Sequence, residues 1–328
     1  MRAWQVSGSG RPSEVLGLAD VSLPEPSPGE MLVRVSAAAV GLPDVFMCGG
    51  TYALTPQLPF TPGQEVCGEV LAVGESVSGF SVGQRIMGVT SFTEGHGGFA
   101  ERCLVGERMA FRVPEDMTDE VAAGFVIPYH TAHIALVRRG HLAAGETVLV
   151  LGAAGGSGSA AVSLAAALGA RVIAVAGGED KVAYCRELGA HDVIDHRESP
   201  IAESVRALTD DRGVEVVFDP VGGWAFTEAT RCIALEGRLL AIGFASGQWG
   251  QVQVPHLVTK NYSVVGVMPG PFSRESKLAA HEEMVELWEA GRLVPAVTEV
   301  ADFDELPTVL DRLADRGVIG KLAVRVAG

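Results

Sequence analysis

A glycine-rich segment, GAAGGSGSA at positions 152–160, places four glycines within seven residues, where an ordinary turn needs one. The apolar run TVLVL precedes it, and the alanine-rich run AAVSLAAALGA continues from it. A strand, a tight turn and a helix in this order form the first half of a βαβ unit. The segment therefore predicts a parallel sheet, and it indicates a turn that something approaches closely.

The alternation of strands and helices continues beyond this turn. From about position 145, short runs rich in Val, Ile and Leu recur, with helix-like segments between most of them. Such runs are typical of strands covered on both faces, so we predict a doubly wound parallel sheet. The expected helices are 159–168, 180–188, 200–208 and 225–232.

The first 125 residues have a different pattern. Short β-prone runs such as EMLVRVSAAAVG are separated by turn clusters such as PEPSPGE. The chain ends with an amphipathic helix, SKLAAHEEMVELWEAGRL, and the strand GKLAVRV, which we expect to return to the N-terminal β domain. We predict an α/β protein with a β-rich domain, 1–125 completed by 268–328, and a doubly wound domain, 126–267.

Charge and cysteine content exclude several classes of function. The chain carries 25 Lys plus Arg against 40 Asp plus Glu, so its formal charge of -15 lacks the basic footprint of nucleic-acid binding. The five cysteines are odd in number, and none has C-x-x-C spacing, which indicates reduced thiols. The N-terminus lacks a signal peptide's apolar core, and the longest apolar region is interrupted by Gly169 and Arg171. We therefore expect a cytoplasmic protein without nucleic-acid or membrane partners.

The glycine spacing carries a specific chemistry. Ala153-x-Gly155-x-x-Gly158 is the dinucleotide fingerprint with alanine in the first glycine position, although a plain glycine-rich turn is the alternative. Gly155 would let a pyrophosphate approach the backbone, and Gly158 would let the helix pack closely on the strand. The helix N-terminus offers unpaired N–H groups and positive partial charge. The residues predicted to hold the phosphates are Ala154, Gly155, Gly156, Ser157 and Gly158.

The end of the next strand decides between NADH and NADPH. An NAD site normally has Asp or Glu there for the ribose hydroxyls. Here the run VIAVAGGEDK has Ala176 and Gly177 at that place, so no carboxylate would repel a 2′-phosphate. Lys181, one turn into the following helix, could reach that phosphate, or it could be a solvated helix lysine. We predict NADPH.

The chain resembles the zinc-independent quinone oxidoreductases of the medium-chain dehydrogenase/reductase superfamily. The motifs that carry the resemblance are FTPGQEVCGEVLAVGESVSGFSVGQRI, GGFAE, GAAGGSG, RELGAHDVID, VEVVFDPVGG, GRLLAIGFASG, KNYSVVGV and GKLAV. The resemblance implies a GroES-like β domain that the C-terminal segment completes, and a Rossmann domain. It also implies a homodimer formed through the last Rossmann strand, around 262–267.

Residue types argue against a catalytic zinc. The zinc ligands of related alcohol dehydrogenases match Gly41, Gln64 and Ile127, none of which is a normal zinc ligand, and Glu65 alone cannot hold the metal. The histidines His130 and His133 lack a third ligand in the sequence pattern. We predict no metal. Without a Lewis acid, an acceptor that takes a hydride at carbon and develops charge on a distant oxygen is favoured, such as a quinone or an α,β-unsaturated carbonyl.

The resemblance also implies roles for individual side chains. Tyr52 matches a tyrosine near the nicotinamide and is the candidate catalytic residue, with Gly41 and Phe46 in the substrate pocket. The resemblance further matches Thr131, His196, Phe244, Asn261 and Lys321 to the cofactor, in addition to Gly177 and Lys181 from the end of the second strand. These matched residues also have structural alternatives: core packing for the aromatic residues, a turn for Asn261, backbone bonding for Thr131 and a surface position for Lys321.

Two positions depart from the family pattern. The family often has asparagine at Gly41, and glycine removes a side-chain amide and enlarges the pocket. His196 stands where the family commonly has tyrosine near the adenosine phosphate. We also expect Asp44 to fix its loop as a structural carboxylate.

The sequence favours an NADPH-dependent reductase of small-molecule quinones or related enones. The nearest alternative is an enoyl or alkenal double-bond reductase that acts on an acyl or natural-product intermediate. A different class, a non-catalytic NADPH-binding protein, also fits, because a fold alone does not establish activity. One-electron transfer and hydride transfer are both compatible with the sequence.

Overall fold

The computed structural model describes residues 1–326 and contains two compact units. One comprises Met1–Ile127 and the chain from Pro295 onward; the other comprises Pro128–Val294. The sequence predicted that the chain returns to the first unit at residue 268. In the structure it returns at Pro295. Ala327 and Gly328, the end of the predicted segment 268–328, lie outside the described residues.

Hydrogen bonds explain where the second unit ends. The amide of Val294 donates to Ser163 Oγ at 2.9 Å, and the Tyr129 hydroxyl donates to the Val294 carbonyl. Arg292 donates to the Ala167 carbonyl. These bonds join the residues after the long C-terminal helix to the second unit, so the helix stays with it.

The first unit is built on a six-stranded sheet whose strands lie in the order β13 (Val297–Asp302), β14 (Lys321–Arg325), β3 (Glu30–Val40), β4 (Glu65–Val73), β5 (Arg85–Thr90) and β6 (Arg102–Arg112). Strand β3 also pairs with β6, which closes part of the sheet on itself. A separate pair, β1 and β2, is antiparallel. Up to Ala123, its strands and helices are β1 (Arg2–Val6), α1 (Pro12–Val15), β2 (Leu16–Asp20), β3 (Glu30–Val40), α2 (Leu42–Cys48), β4 (Glu65–Val73), β5 (Arg85–Thr90), β6 (Arg102–Arg112) and α3 (Asp119–Ala123).

The second unit has a six-stranded, all-parallel sheet in the order β12-β11-β10-β7-β8-β9. Its elements are α4 (Val126–His133), which begins at the boundary, a π-helical segment (Ile134–Arg139), β7 (Thr147–Val150), α5 (Gly156–Ala167), β8 (Arg171–Ala176), α6 (Glu179–Glu187), β9 (Asp192–Asp195), α7 (Ile201–Leu208), β10 (Val214–Asp219), α8 (Gly223–Arg231), β11 (Ile233–Ala241), α9 (Val254–Lys260), β12 (Ser263–Gly266) and α10 (Arg274–Glu289). Helices lie at all four predicted places, and the doubly wound sheet is confirmed.

The last elements of the first unit are β13 (Val297–Asp302), α11 (Leu306–Ala314) and β14 (Lys321–Arg325). Strand β14 pairs antiparallel with β3, with Leu322 opposite Val40. The final strand therefore returns to the N-terminal β unit, as its sequence indicated. The side chains of Leu322 and Val324 are buried in the core of that unit.

The order of strands in the parallel sheet defines its binding edge. The chain runs outward from β7 through β8 to β9 on one side, and through β10 and β11 to β12 on the other. Ligands of open α/β sheets bind at the carboxyl ends of the strands where the order reverses, which here is the end of β7.

No helix within residues 1–326 has both the length and the apolar character needed to cross a bilayer.

Candidate functional site

The glycine turn follows β7 at the carboxyl edge of the parallel sheet. Gly155 has an extended backbone, with φ -90° and ψ 171°, and it precedes the first residue of α5. A Cβ atom on Gly155 would meet only the Gly152 carbonyl oxygen, at 3.4 Å. Neither backbone conformation nor internal packing therefore requires glycine at this exposed position. The missing side chain leaves room for a group from outside the protein.

Gly158 has the opposite environment. A Cβ atom there would lie 2.2 Å from the Gly152 carbonyl oxygen and 2.8 Å from Ala153 Cα. The start of α5 therefore packs directly on the backbone of the turn. The sequence predicted close packing on the strand, and the contacts observed at Gly158 are with the turn at Gly152 and Ala153.

The start of α5 provides donors for an anion. No side chain caps this end, and the Ser159 amide is bonded to the Gly155 carbonyl. The amides of the first helical turn have no partner within the helix. Those of Gly156, Ser157 and Gly158 belong to this turn, beside the open space at Gly155. The arrangement fits the pyrophosphate of a dinucleotide.

Basic side chains surround the end of β8. A Cβ atom on Gly177 would lie 2.7 Å from His196 Nε2 and 3.0 Å from Arg197 Nε, and one on Gly178 would lie 2.9 Å from an Arg197 terminal nitrogen. The Asp195 carboxylate accepts the Gly178 and Arg197 amides, each at 2.9 Å, and fixes this loop. Any side chain at position 177 would have to displace the His196 and Arg197 side chains. A histidine and an arginine thus lie where an NAD site has its carboxylate.

The remaining predicted cofactor residues do not all reach this edge. Phe244 follows β11 at the carboxyl edge, and its ring lies 4.7 Å from the Trp249 ring. Thr131 is buried in α4. Asn261 precedes β12 at the amino edge, where it ends α9 in the left-handed conformation with φ 51°. The carboxyl edge is where the glycine turn lies, so this placement removes Asn261 from the candidate site.

In the first unit, Asp44 fixes the loop that begins α2. Its carboxylate accepts the Gly41 amide at 2.9 Å and the Gly63 amide at 3.1 Å, and its side chain is buried. Burial raises the pKa of Asp44 to about 6, against the lowering effect of these amides and of Lys321. The expectation that Asp44 holds its loop is thereby confirmed.

Glu65 and Lys321 form a buried ion pair in the same unit. Lys321 Nζ lies 3.2 Å from Glu65 Oε2, and Glu65 Oε1 accepts the Ile127 amide at 2.8 Å. Glu65 is 1% exposed and Lys321 8% exposed, so a surface position for Lys321 is wrong. Burial raises the pKa of Glu65, and Lys321 partly offsets that effect. The lysine charge is thus neutralised within the protein.

Tyr52 lies in the first unit, in the segment after α2. The Tyr52 ring is half-buried against the core of the first unit, and Phe46, on α2, is also half-buried. Burial raises the pKa of the Tyr52 phenol, while a hydrogen bond with the Gln64 side chain lowers it and the nearby Asp44 raises it. At pH 7 the phenol is therefore protonated and can donate a hydrogen bond.

The histidines noted in the sequence are engaged with other side chains. His130 Nε2 lies 3.2 Å from His281 Nδ1, and His133 Nε2 lies 2.8 Å from Glu283 Oε2, both between α4 and α10. Within residues 1–326, no three His, Cys, Asp or Glu side chains are arranged to hold a metal ion. These histidines thus contribute to the packing of α10 on α4.

Asp44→Asn is expected to change how stability depends on pH. Because the Asp44 pKa is raised to about 6, the folded protein binds more protons than the unfolded chain between about pH 4 and 6. Ionisation of Asp44 therefore lowers the free energy of unfolding as pH rises through this window, by on the order of 3 kcal/mol. Urea unfolding at pH 4 and 7 should show the wild type losing stability relative to Asp44→Asn.

Glu120→Gln provides a control of opposite sign, because its hydrogen bond with Arg325 lowers the pKa of Glu120. That carboxylate stabilises the protein at higher pH. The free energy of unfolding of the wild type, relative to that of Glu120→Gln, should therefore increase as pH rises. Identical pH profiles for the wild type and Asp44→Asn would contradict the assignment to Asp44.

Sequence reasoning missed two residues of these sites. Arg197 lies against Gly177 and Gly178, and its only signal was the basic pair His196–Arg197 after the third strand of the sheet. Gln64 was noted only as a residue that is not a zinc ligand. The structure places its amide 3.7 Å from Met47 Sδ of α2, a contact that spacing along the chain does not reveal.

Known protein families match the sequence in both units, and solved structures match the fold. Residues 27–115 match the alcohol dehydrogenase GroES-like domain, and residues 156–286 match the zinc-binding dehydrogenase family. A quinone oxidoreductase-like protein 2 homolog of Nematostella vectensis is 34% identical over 300 residues, 90% of this chain and 81% of the relative. Quinone oxidoreductase of Sus scrofa is 30% identical over 325 residues, 98% and 97% of the two chains.

A solved mycobacterial structure complexed with NADPH has a TM-score of 0.92 and 30% sequence identity, and it covers 99% of this chain and 100% of its own. The predicted combination of a GroES-like domain with a Rossmann domain is confirmed by these matches. On sequence and structure together, the chain belongs to the quinone oxidoreductase family of the medium-chain dehydrogenase/reductase superfamily.

Proposed function

We propose that this protein is an NADPH-dependent reductase of quinones or related α,β-unsaturated carbonyl compounds that works without a metal ion. The observation that carries the proposal is the open glycine turn at Gly155, where a dinucleotide pyrophosphate fits against bare backbone. Relatives named quinone oxidoreductases, and a similar structure complexed with NADPH, support it.

Residues of the carboxyl edge would bind the cofactor. The amides of Gly156, Ser157 and Gly158 would hold the pyrophosphate, and Ala154 and Gly155 would leave room for it. Lys181, His196 and Arg197 would bind the 2′-phosphate, against the bare backbone of Gly177. We retain Thr131 and Phe244 for the nicotinamide end. Lys321 is not retained, because Glu65 neutralises it.

Residues of the first unit would act on the acceptor. Bound NADPH supplies a hydride to an acceptor carbon. The Tyr52 phenol would then donate its proton to the acceptor oxygen, in a pocket that Gly41 leaves wide beside Phe46. Gly41, Gln64 and Ile127 give no zinc ligands at the positions that hold zinc in related enzymes, so oxyanion stabilisation falls to hydrogen-bond donors.

Anaerobic turnover tests the proposal. NADPH and NADH should be offered with simple quinones and enones, with and without a chelator, to wild type and Tyr52→Phe. We expect chelator-insensitive turnover with NADPH that Tyr52→Phe reduces about tenfold or more in kcat/KM. Turnover of enones alone would favour the double-bond reductase. Tight NADPH binding without any turnover would favour a non-catalytic binding protein, and chelator-sensitive alcohol oxidation would refute the metal-free mechanism.

Lys181→Ala and Arg197→Ala are expected to weaken NADPH more than NADH. Each removes a positive charge near Gly177, and only NADPH carries the 2′-phosphate that the charge would meet. Fluorescence titration should show NADPH affinity falling about tenfold while NADH affinity changes less than twofold. Arg186→Ala, later on the same helix as Lys181, is the control. Equal losses for both cofactors would defeat the assignment.

We also propose a homodimer that forms through β12 and a reducing, cytoplasmic location. Strand β12 is one of the two edges of the parallel sheet, and exposed apolar side chains occur on Val254 and Val258 of the preceding helix α9 and on Met268 just after β12. A strand edge with apolar neighbours suits pairing with a second copy. All five cysteines are buried free thiols, which suits a reducing compartment. Sedimentation equilibrium would measure the dimer mass.

A further inference from the structure

Two buried histidines meet where α10 packs on α4. His130 Nε2 lies 3.2 Å from His281 Nδ1, and the ring centroids are 5.4 Å apart with the ring planes inclined by 32°. The two residues are 4% and 5% exposed. A hydrogen bond between two imidazoles needs one ring nitrogen to donate and the other to accept. The contact therefore persists only while at least one of the two rings is neutral.

The surroundings of the pair oppose even one added proton. Lys277 precedes His281 by four residues, on the same face of α10, and its side chain is buried. Burial lowers the pKa of His130 well below its ordinary range. Four neighbouring groups lower that pKa further, in the order His281, His133, Lys277 and Arg274. His130 is thus neutral at pH 7 in the packed helices, and it would take up a proton more readily if they separated.

The second contact between these helices responds to acid in the opposite way. His133 Nε2 lies 2.8 Å from Glu283 Oε2, and the Glu283 side chain is largely exposed. A proton on His133 would add attraction to that carboxylate. Acid sensitivity therefore belongs to the pair of His130 and His281.

The histidine pair adjoins a residue that the proposed function retains for the cofactor. Thr131 follows His130 directly on α4, and its side chain is buried. The two contacts with α10 come from the residue before Thr131 and from His133, two residues after it. The placement of this helical turn, and of Thr131 with it, therefore depends on α10 being packed against α4.

We propose that His130 and His281 form an acid-sensitive contact that holds α10 on α4 and so positions Thr131 for the cofactor. This inference rests on the proposed function and adds regulation to it. Below about pH 6.5 the separated helices bind protons that the packed pair does not, so packing weakens as pH falls. Each histidine that stays neutral in the packed state should make separation roughly tenfold more frequent at pH 5.5 than at pH 7.5.

Amide hydrogen exchange within α10 measures this separation without turnover. After correction for intrinsic exchange rates, wild-type α10 should exchange about tenfold faster, or more, at pH 5.5 than at pH 7.5. The double variant His130→Gln with His281→Asn keeps an amide atom near each facing nitrogen but takes up no proton, so its corrected rates should change less than about twofold. His141→Asn, at an exposed position of the same unit, is the control and should follow the wild type.

Saturating NADPH tests the link to Thr131. If the packed helices position that residue, NADPH should slow α10 exchange at pH 5.5 by up to about 100-fold at a concentration of 100 Kd. Thr131→Val keeps the branched shape but lacks the hydroxyl, so at equal saturation it should lose most of this protection.

The outcomes separate the contact, the positioning and the proposed function. A wild-type exchange rate that does not depend on pH would overturn the acid-sensitive contact whether or not the variant folds, and so would equal pH dependence in the wild type and the double variant. Unchanged α10 exchange with NADPH bound would contradict the positioning of Thr131. Acid-sensitive exchange in a protein that binds no NADPH would instead overturn the proposed function and leave the histidine contact intact.

Discussion

Gly158→Ala should lower the free energy of unfolding by about 3 kcal/mol, because its methyl group would overpack the start of α5. The new Cβ would lie 2.2 Å from the Gly152 carbonyl oxygen and 2.8 Å from Ala153 Cα. Both are backbone atoms of the turn, so relief requires the start of α5 to move away from the turn. The higher helix propensity of alanine offsets the loss by at most about 1 kcal/mol.

Gly155→Ala is the matched variant, and it should separate binding from folding. Its methyl group would enter open space in a backbone conformation that alanine adopts, so stability should change by less than about 1 kcal/mol. The same methyl group would occupy the place of the pyrophosphate. NADPH affinity should therefore fall about 100-fold, which corresponds to nearly 3 kcal/mol.

Urea unfolding without cofactor and fluorescence titration with NADPH measure the two effects. Gly158→Ala should lower the free energy of unfolding, and Gly155→Ala should lower the affinity for NADPH. Unchanged NADPH binding by a folded Gly155→Ala protein would remove the glycine turn from the cofactor site. An unchanged stability of Gly158→Ala would show that the turn and helix separate at little cost.

Lys321→Met should destabilise the first unit by about 4 kcal/mol, because it leaves the buried Glu65 carboxylate without its cation. Glu65 is 1% exposed, and its Oε2 lies 3.2 Å from the lysine nitrogen. The variant protein should also show a higher pKa for Glu65, so its deficit should shrink as pH falls and the carboxyl group takes a proton.

The double variant Glu65→Gln with Lys321→Met removes both charges and keeps an acceptor for the Ile127 amide. It should recover at least half of the lost stability, since an uncompensated buried charge causes most of the loss. Thermal and urea unfolding of the two single variants and the double variant measure the coupling. Additive losses would contradict a direct interaction between the two charges.

Much of the fold follows from local pattern. The doubly wound sheet was predictable because apolar runs and helical segments alternate along the chain, and the glycine spacing located the turn between β7 and α5. The return of the final strand was predictable because an isolated strand must find a partner. The boundary at Pro295 was not, because bonds such as Val294 to Ser163 join residues that are far apart in sequence.

The candidate site divides in the same way. Resemblance and spacing selected Gly155, His196 and Tyr52, but they also selected Asn261, which lies at the amino edge of the sheet. Arg197 was found only in the structure, because its significance comes from its position against Gly177 and Gly178. The pairing of Lys321 with Glu65 likewise depends on the register of β14 beside β3 and β4.

The class of fold, the glycine turn and the lack of a carboxylate at Ala176 and Gly177 follow from the sequence alone, because residue identity, backbone conformation and periodicity are local properties of the chain. Which charges meet and which glycine faces open space become visible only in the folded chain. Those properties depend on distances between residues remote in sequence, which are fixed only when strands pair and helices pack.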